Sequence, residues 1–335
     1  MLRVSCMVIK MVKLLEVRGL TKIFTTGFFR KTSIVAVDNV SFELPIGKPM
    51  IFTIAGESGS GKTTIARLIL GFIKPTSGSI HYRGKNIWSM SNKEWRNYRR
   101  RVQAVFQDPY SSFNPLRKVD SILWTPIKKF RLARNYHEAS NLIKESLEAV
   151  GLRPEEVLGK YPHQLSGGQR QRLMLARAFL IRPELIIADE PVSMIDASSR
   201  ANILNLMLKI KKDLGTSFIY ITHDLSTAHY ISDSIMILYR GSIVEIGDIS
   251  KVVSNPLHPY VRILLDSIPI PDPLKRWKES IILPEIEIEK SSYGNKGCKF
   301  FKRCPIRDDS CASITPKLVK VERGHWVACL KAIDL

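Results

Sequence analysis

Hydrophobic and polar positions alternate in the first part of the chain as they do in β-strands. Between residues 14 and 54 the pattern predicts short strands, broken by Gly27, Pro45, Gly47 and Pro49. We therefore expect an antiparallel β lead-in that begins at residue 13. Residues 1–12 are interpreted as a leader that is disordered and not needed for the fold.

A strand, a glycine-rich loop and a helix follow one another next. Residues 51–55 form a short apolar run, and hydrophobic spacing of three and four predicts a helix over residues 63–72. The same spacing predicts helices within residues 120–160, with Gly151 at a helix end. We assign these helices to a helical insertion at about residues 108–165.

Strands and helices alternate from there to residue 240, an order typical of a mostly parallel sheet covered by helices. The predicted helices are residues 168–179, residues 198–214 and a segment after Asp224, and the predicted strands are residues 185–188, 218–222 and 235–238. The chain is therefore expected to have an α/β fold.

Composition narrows the class of protein. The 335 residues contain 51 Lys and Arg against 31 Asp and Glu, a net charge of +20 that favours polyanionic partners such as nucleic acid, nucleotides or an anionic membrane face. No apolar run approaches the roughly 18 residues that cross a bilayer, and no signal peptide is recognisable, so we expect a soluble intracellular protein.

After residue 250 the chain becomes rich in proline and cysteine, which predicts a main domain at residues 13–250 and an extension at residues 251–335.

A phosphate-binding loop is predicted after the strand at residues 51–55. Its pattern of glycine, four residues, glycine, lysine and serine or threonine is matched by Gly56, Glu57, Ser58, Gly59, Ser60, Gly61, Lys62 and Thr63. Glycines let backbone N–H groups surround phosphate oxygens, Lys62 can reach the β- and γ-phosphates, and the Thr63 hydroxyl can bind Mg²⁺. We expect a nucleotide here, with Thr64 among the residues that bind it.

Two adjacent carboxylates, Asp189 and Glu190, end a buried strand, where parallel sheets place their ligands. Neighbouring side chains on an extended chain point in different directions, so the two acids can have different roles. Asp189 can hold Mg²⁺, and Glu190 can orient or deprotonate an attacking water. A solvated strand end is the alternative interpretation of the pair.

A second anion-binding segment is predicted at the start of the helix near residue 168. It consists of Ser166, Gly167, Gly168 and Gln169, where bare N–H groups, a hydroxyl and the positive end of a helix come together. Two such segments in one chain suggest two chains that share two nucleotides. An ordinary helix cap made by Ser166 is the alternative.

In order and spacing these segments resemble the motifs of ATP-binding cassette (ABC) ATPases. Residues 165–169 are similar to the family signature, Gln107 to the Q-loop glutamine, Asp196 to the D-loop aspartate and His223 to the switch histidine. Phe24 resembles the aromatic residue that stacks on adenine, with Phe28 and Phe29 as rival candidates. Val192, Met194 and Ile195 depart from the residues that are common in the family, which bears on the fit of a partner rather than on catalysis.

The resemblance implies a P-loop NTPase fold of ABC type: a RecA-like mixed sheet, an antiparallel lead-in, a helical insertion and a small cysteine-containing extension. It implies ATP and Mg²⁺ as ligands, with Thr63, Gln107 and Asp189 at the metal. Catalytic roles fall to Glu190, His223 and Gln107. Ser166 to Gln169 and Asp196 of one subunit would close over the nucleotide of a second ABC ATPase subunit.

Residues 255–260 and 108–115 resemble the dipeptide and oligopeptide branch of ABC importers. This implies an ATP-hydrolysing subunit that energises uptake of dipeptides, oligopeptides or oligosaccharides from the cytoplasmic face of the membrane. Its implied partners are an unlike second ATPase subunit, two transmembrane permease subunits and an extracytoplasmic solute-binding protein. The alternative is a soluble ABC ATPase that acts on nucleic acid or ribosomes, but the single uninterrupted cassette lacks a recognisable nucleic-acid module, so we expect no specific nucleic acid partner.

Four cysteines, Cys298, Cys304, Cys311 and Cys329, lie close together in the extension, as they often do in this branch. Four thiolates can hold a [4Fe–4S] cluster or Zn²⁺, and the lack of a Cys-x-x-Cys pair together with the Cys304–Pro305 step favours the cluster. Disulfides or free thiols are the remaining alternatives. Nearby basic residues, Lys296, Lys299, Lys302, Arg303 and Arg307, are expected to offset the charge of the thiolates.

Overall fold

The computed structural model describes residues 13–27, 32–106, 113–268 and 297–332. The predicted leader, residues 1–12, lies outside these ranges. Twelve strands are found in the described ranges: β1 Lys13–Thr26, β2 Thr32–Pro45, β3 Ile51–Ala55, β4 Ser77–Tyr82, β5 Lys85–Asn86, β6 Val102–Val105, β7 Leu185–Asp189, β8 Ser217–Thr222, β9 Ser234–Tyr239, β10 Ser242–Asp248, β11 Val319–Glu322 and β12 His325–Val327.

Eleven α-helices accompany the strands in the same part of the chain. They are Lys62–Ile69, Asn92–Arg101, Asp120–Phe130, Tyr136–Ala149, Pro154–Val157, Gly167–Ile181, Ala197–Leu214, Leu225–Ile231, Ile249–Ser254, Pro259–Asp266 and Asp309–Ser313. Among these helices none is long and apolar enough to cross a lipid bilayer.

The larger sheet confirms the predicted α/β class. Its strand order is β11-β12-β10-β9-β3-β8-β7-β6, and β9, β3, β8, β7 and β6 pair in parallel. Every residue of β3, β7 and β8 is buried, as expected of strands covered on both faces. Because these strands run in one direction, the loops after β3, β7 and β8 meet at the same edge of the sheet.

The antiparallel lead-in forms a second sheet, with strand order β2-β1-β4-β5. The prediction of short broken strands was wrong, since β1 and β2 are each 14 residues long. Gly27 follows β1 and Pro45 is the last residue of β2, so these residues end long strands instead of interrupting them. Irregular register within the β1–β2 pair lets the long strands bend without breaking.

The predicted helices of residues 120–160 are present. Asp120–Phe130 and Tyr136–Ala149 pack against Gly167–Ile181 through a hydrophobic cluster that includes Leu123, Ile143 and Leu173. Because Gly167–Ile181 also packs on β6, this helical layer is joined directly to the edge of the larger sheet.

The extension continues the same sheet. Strand β12 pairs with β10, and β11 pairs with β12. Buried aromatic side chains of Tyr239, Tyr260 and Phe300 pack together where the extension meets β9. The residues after position 250 therefore contact β9 and β10, and β9 is the direct neighbour of β3, the strand that precedes the predicted phosphate loop.

Candidate functional site

The phosphate-binding loop connects β3 to the helix Lys62–Ile69. Gly56 and Gly61 have φ values of 147° and 103°, which L side chains rarely adopt. A Cβ on Gly56 would lie 2.3 Å from the carbonyl oxygen of Leu238, and one on Gly61 would lie 2.2 Å from that of Ala36. Glycine is therefore required at both positions by conformation and by space.

Lys62 lies inside this loop. Its Nζ donates hydrogen bonds to the carbonyl oxygens of Gly56 and Glu57, both at 2.7 Å. Burial lowers the pKa of Lys62, while the negative charges of Glu190, Asp189 and Glu57 oppose that shift. The ammonium group is thus partly desolvated, which strengthens its attraction for a phosphate group, while the three nearby carboxylates favour its charged form.

Thr63 and Asp189 come together across the edge of the sheet. The Thr63 hydroxyl donates to Asp189 Oδ1 over 3.4 Å, and Asp189 is buried at the end of β7. Burial is the main cause of a raised pKa for Asp189. A hydroxyl beside a carboxylate is an oxygen donor set of the kind that Mg²⁺ prefers, so these residues fit the metal implied by the motif.

Glu190 follows Asp189 in the chain and contacts His223. Its Oε1 lies 3.0 Å from His223 Nδ1, and its backbone N–H donates to Ile221 O at 2.9 Å. Glu190 adopts a left-handed backbone with φ of 48°, uncommon for a residue other than glycine. The two adjacent acids therefore have different partners, and the cause is the turn that begins at Glu190 rather than alternation along the strand, because β7 ends at Asp189.

The signature segment begins the helix Gly167–Ile181. Ser166 Oγ accepts from the Gln169 N–H at 3.2 Å, and Gln169 Oε1 accepts from the Ser166 N–H at 2.9 Å, which forms a capping box. The helix cap that was the alternative interpretation of this segment is thus present in the structure. Ideal Cβ positions on Gly167 and Gly168 would lie 3.8 Å from Met194 O and Ser199 Oγ, beside the segment that contains Asp196.

The remaining predicted residues are placed as follows. Asp196 caps the helix Ala197–Leu214, where its Oδ1 accepts from the Ser199 N–H at 2.9 Å. Phe24, near the end of β1, is 39% exposed, and Lys22 Nζ lies 5.1 Å from its ring centre. Gln107, Phe28 and Phe29 lie outside the described residues.

Two residues that the sequence interpretation did not assign to the nucleotide site contact the phosphate loop. Arg303 forms two hydrogen bonds with the Glu57 carboxylate, each 2.9 Å long, and Tyr260 Oη accepts from the Glu57 N–H at 2.9 Å. Of the basic residues expected to offset thiolate charge, Arg303 thus pairs with Glu57 and Lys299 pairs with Asp38 at 2.8 Å, while Lys296 lies outside the described residues. Whether these residues also offset thiolate charge stays a prediction. Both pairings join the extension to carboxylates more than 200 residues earlier in the chain, so charge spacing along the sequence carries no information about either.

The four cysteines of the extension are free thiols that line one small cavity of about 10 Å³. Burial raises the pKa of Cys298, Cys304 and Cys329, and the neighbouring thiols raise it further. Within the described ranges, however, no group of three or more His, Cys, Asp or Glu side chains has an arrangement suited to a metal ion. The four thiols thus line one cavity, but as the structure describes them they do not form a metal site.

Sequence comparison gives two family matches. Residues 37–193 match the ABC transporter model, and residues 244–311 match the model of the oligopeptide/dipeptide transporter C-terminal region. The chain is 41% identical over 316 residues to the putative oligopeptide transport ATP-binding protein YkfD of Bacillus subtilis, covering 94% of each chain. It is 40% identical over 300 residues to the oligopeptide transport ATP-binding protein OppF of Escherichia coli, covering 90% of this chain and 89% of OppF.

Comparison with solved structures supports the same family. The dimeric ATP-binding cassette MJ0796, solved in a post-hydrolysis state with ADP and Pi, is similar with a TM-score of 0.61 at 28% identity. The similarity covers 70% of this chain and 98% of that cassette. The motifs, the fold and both family matches therefore agree: this chain belongs to the ABC transporter family, as an ATP-binding protein of its oligopeptide/dipeptide branch.

Proposed function

We propose that this chain hydrolyses ATP to energise peptide import through membrane partner subunits. One observation carries the proposal. At one edge of the sheet the phosphate loop meets two pairs of side chains, each with one acid: Thr63 beside Asp189, and His223 beside Glu190. The relatives YkfD and OppF are described as oligopeptide transport ATP-binding proteins, which supports peptides as the solute.

Each residue of the site has a distinct role in the proposed hydrolysis. The loop N–H groups and Lys62 hold the β- and γ-phosphates, and Thr63, Asp189 and Gln107 hold Mg²⁺. The metal, when bound, neutralises charge that develops on the phosphate oxygens. Glu190 accepts the proton of the attacking water, and His223 orients the Glu190 carboxylate through their contact. Phe24, which is exposed near the end of β1, stacks on adenine.

A second subunit completes the site in this proposal. The helix that begins at Gly167 presents its N-terminal N–H groups, so that Ser166, Gly167, Gly168 and Gln169 close over the γ-phosphate of the opposite nucleotide. Asp196 is the D-loop residue of the same nucleotide site. The second subunit is an unlike ABC ATPase, and two permease subunits and an extracytoplasmic solute-binding protein complete the importer. The chain then lies at the cytoplasmic face of the membrane, with residues 13–250 as the nucleotide-binding domain and residues 251–335 as the extension.

The test is reconstitution of the chain in vesicles with the second ATPase subunit, the two permease subunits and the solute-binding protein. ATP-dependent accumulation of a labelled oligopeptide, abolished when Mg²⁺ is chelated, is the expected result. Identification of the ligand of the co-purified solute-binding protein separates oligopeptides from dipeptides and oligosaccharides. Hydrolysis without uptake of any of these solutes would contradict the proposal.

We also propose that the cysteine cavity is the site of a [4Fe–4S] cluster. Support comes from the donor set, since four thiols line one cavity and thiolates are the ordinary ligands of such clusters. The cavity has about the volume of one water molecule, so a cluster requires the four side chains to move apart. Iron and acid-labile sulfide analysis of anaerobically purified protein tests this: about four of each per chain is expected, and zinc alone or no metal refutes it.

A further inference from the structure

The phosphate loop is held from outside by the extension. Arg303 Nη1 and Nη2 each donate to one oxygen of the Glu57 carboxylate, both at 2.9 Å, across 246 residues of sequence. Bidentate pairs between guanidinium and carboxylate groups are the stronger and more directional kind of ion pair. The hydrogen bonds raise the pKa of Arg303 further above its ordinary value. This contact is therefore a specific link and not a chance surface encounter.

A second contact from the extension acts on the same loop residue. Tyr260 Oη accepts the Glu57 N–H at 2.9 Å. The carbonyl of Glu57 in turn accepts a hydrogen bond from Lys62 Nζ at 2.7 Å. The side chain, N–H and carbonyl of Glu57 are thus all engaged, and the position of this one residue influences where the Lys62 ammonium lies.

Arg303 itself has little freedom to move. Its side chain is 14% exposed, and its guanidinium lies 5.7 Å from the ring centre of Phe300 and 5.8 Å from that of Tyr239. Phe300 is buried, and Lys299 donates to Ser242 Oγ at 2.7 Å. The segment that precedes Cys304 is therefore anchored to β9 and β10, and Arg303 presents a fixed charge to the loop.

The charge of Glu57 gives this link an energetic consequence. A carboxylate at the start of a phosphate loop repels an incoming polyphosphate, and Arg303 compensates that charge. We propose that Arg303 and Tyr260 are positioning residues for the phosphate loop that act through Glu57, so that the affinity of the site for ATP depends on the extension. This inference rests on the proposed binding of ATP at residues 56–63.

The test compares ATP affinity of the full chain and of Arg303→Gln by equilibrium binding. We expect Arg303→Gln to weaken ATP binding about tenfold, mainly as a rise in KM with kcat nearly retained. Arg307→Gln is the matched control, because Arg307 lies in the same segment, is exposed, and donates to Lys302 O instead of the loop. Its affinity is expected to match that of the unaltered chain.

A double variant shows whether Arg303 acts through Glu57. In Glu57→Gln/Arg303→Gln the uncompensated carboxylate is removed, so most of the lost affinity is expected to return. The deficit of Arg303→Gln should also shrink as salt rises, because screening weakens the repulsion. Tyr260→Phe, which leaves the Glu57 N–H without its partner, is expected to lose about threefold in affinity.

Unchanged affinity in Arg303→Gln, an equal loss in Arg307→Gln, or a double variant as weak as Arg303→Gln would each overturn the inference. Circular dichroism of every variant checks that the fold is kept. If the unaltered chain binds no ATP, the proposed function fails. If it binds ATP and Arg303→Gln binds equally well, only this inference fails.

Discussion

His223 Nδ1 lies 3.0 Å from Glu190 Oε1, a contact that joins the residue after β7 to the residue after β8. The two side chains come from neighbouring parallel strands, so the geometry of the sheet sets their separation. Glu190 is mostly shielded and His223 is more exposed, with side-chain exposures of 17% and 59%. The contact thus joins a mostly shielded carboxylate to a histidine that stays accessible to solvent.

Glu190→Gln is expected to bind ATP, dimerise and stall. An amide keeps the shape of the side chain but cannot accept the proton of the attacking water, so turnover should fall at least about 100-fold while ATP affinity is retained. Steady-state phosphate release and nucleotide binding measure the two effects. Glu148→Gln, an exposed substitution of the same kind on the helix Tyr136–Ala149, serves as control. Near-normal turnover in Glu190→Gln would remove Glu190 from the role of base.

His223→Ala is expected to slow hydrolysis about 10- to 100-fold and to leave ATP affinity nearly unchanged, because His223 contacts Glu190 and not the phosphate loop residues. Single-turnover kinetics separates the chemical step from product release. The control is His229→Ala, an exposed histidine on the helix Leu225–Ile231. Equal rates in the two variants would mean that the contact with Glu190 has no part in turnover.

Thr63→Ala is expected to raise the Mg²⁺ concentration needed for half-maximal hydrolysis about tenfold or more. The hydroxyl that donates to Asp189 Oδ1 is removed, and with it one oxygen ligand of the proposed metal position. A Mg²⁺ titration at saturating ATP measures the change, and Ser254→Ala, which removes an exposed hydroxyl elsewhere, is the control. A titration curve identical to that of the unaltered chain would place the metal away from Thr63.

Gly61→Ala and Gly59→Ala are expected to differ in stability although both glycines have positive φ. At Gly61 the new Cβ meets the Ala36 carbonyl oxygen at 2.2 Å, and a backbone atom cannot yield as a flexible side chain can. At Gly59 nothing lies within 4 Å. Chemical unfolding should show a loss of about 1 kcal/mol for Gly59→Ala and several kcal/mol for Gly61→Ala. Equal losses would show that the loop relaxes around residue 61.

Much of the candidate site was predictable because each motif is encoded by a short segment. The glycines at 56 and 61 are needed for local backbone conformation, and Ser166 with Gln169 forms a cap within one helical turn. The pair of acids at the end of β7 was also predictable from the sequence, but their different partners depend on the left-handed backbone of Glu190, which lies just after the strand. Helix positions in residues 120–181 were likewise predictable, since hydrophobic spacing reports which face of a helix is buried.

The lead-in strands were harder to predict. Glycine and proline indicate where a chain can turn, but the same residues occur at the ends of long strands and between short ones. Gly27 and Pro45 lie at strand ends here, and β1 gains partners on both sides, β2 and β4, which stabilise its full length. Pairing of that kind depends on residues about 60 positions away, beyond the reach of a local pattern.

The sequence by itself thus determined the parts of this protein that depend on neighbouring residues: the phosphate loop, the acid pair, the capped signature helix and the α/β order. Only the tertiary structure decided which distant segments meet. It placed the four cysteines around one cavity and brought Arg303 to Glu57 across 246 residues. The physical reason is that an ion pair depends on the path of the whole chain, and neither periodicity nor charge spacing records that path.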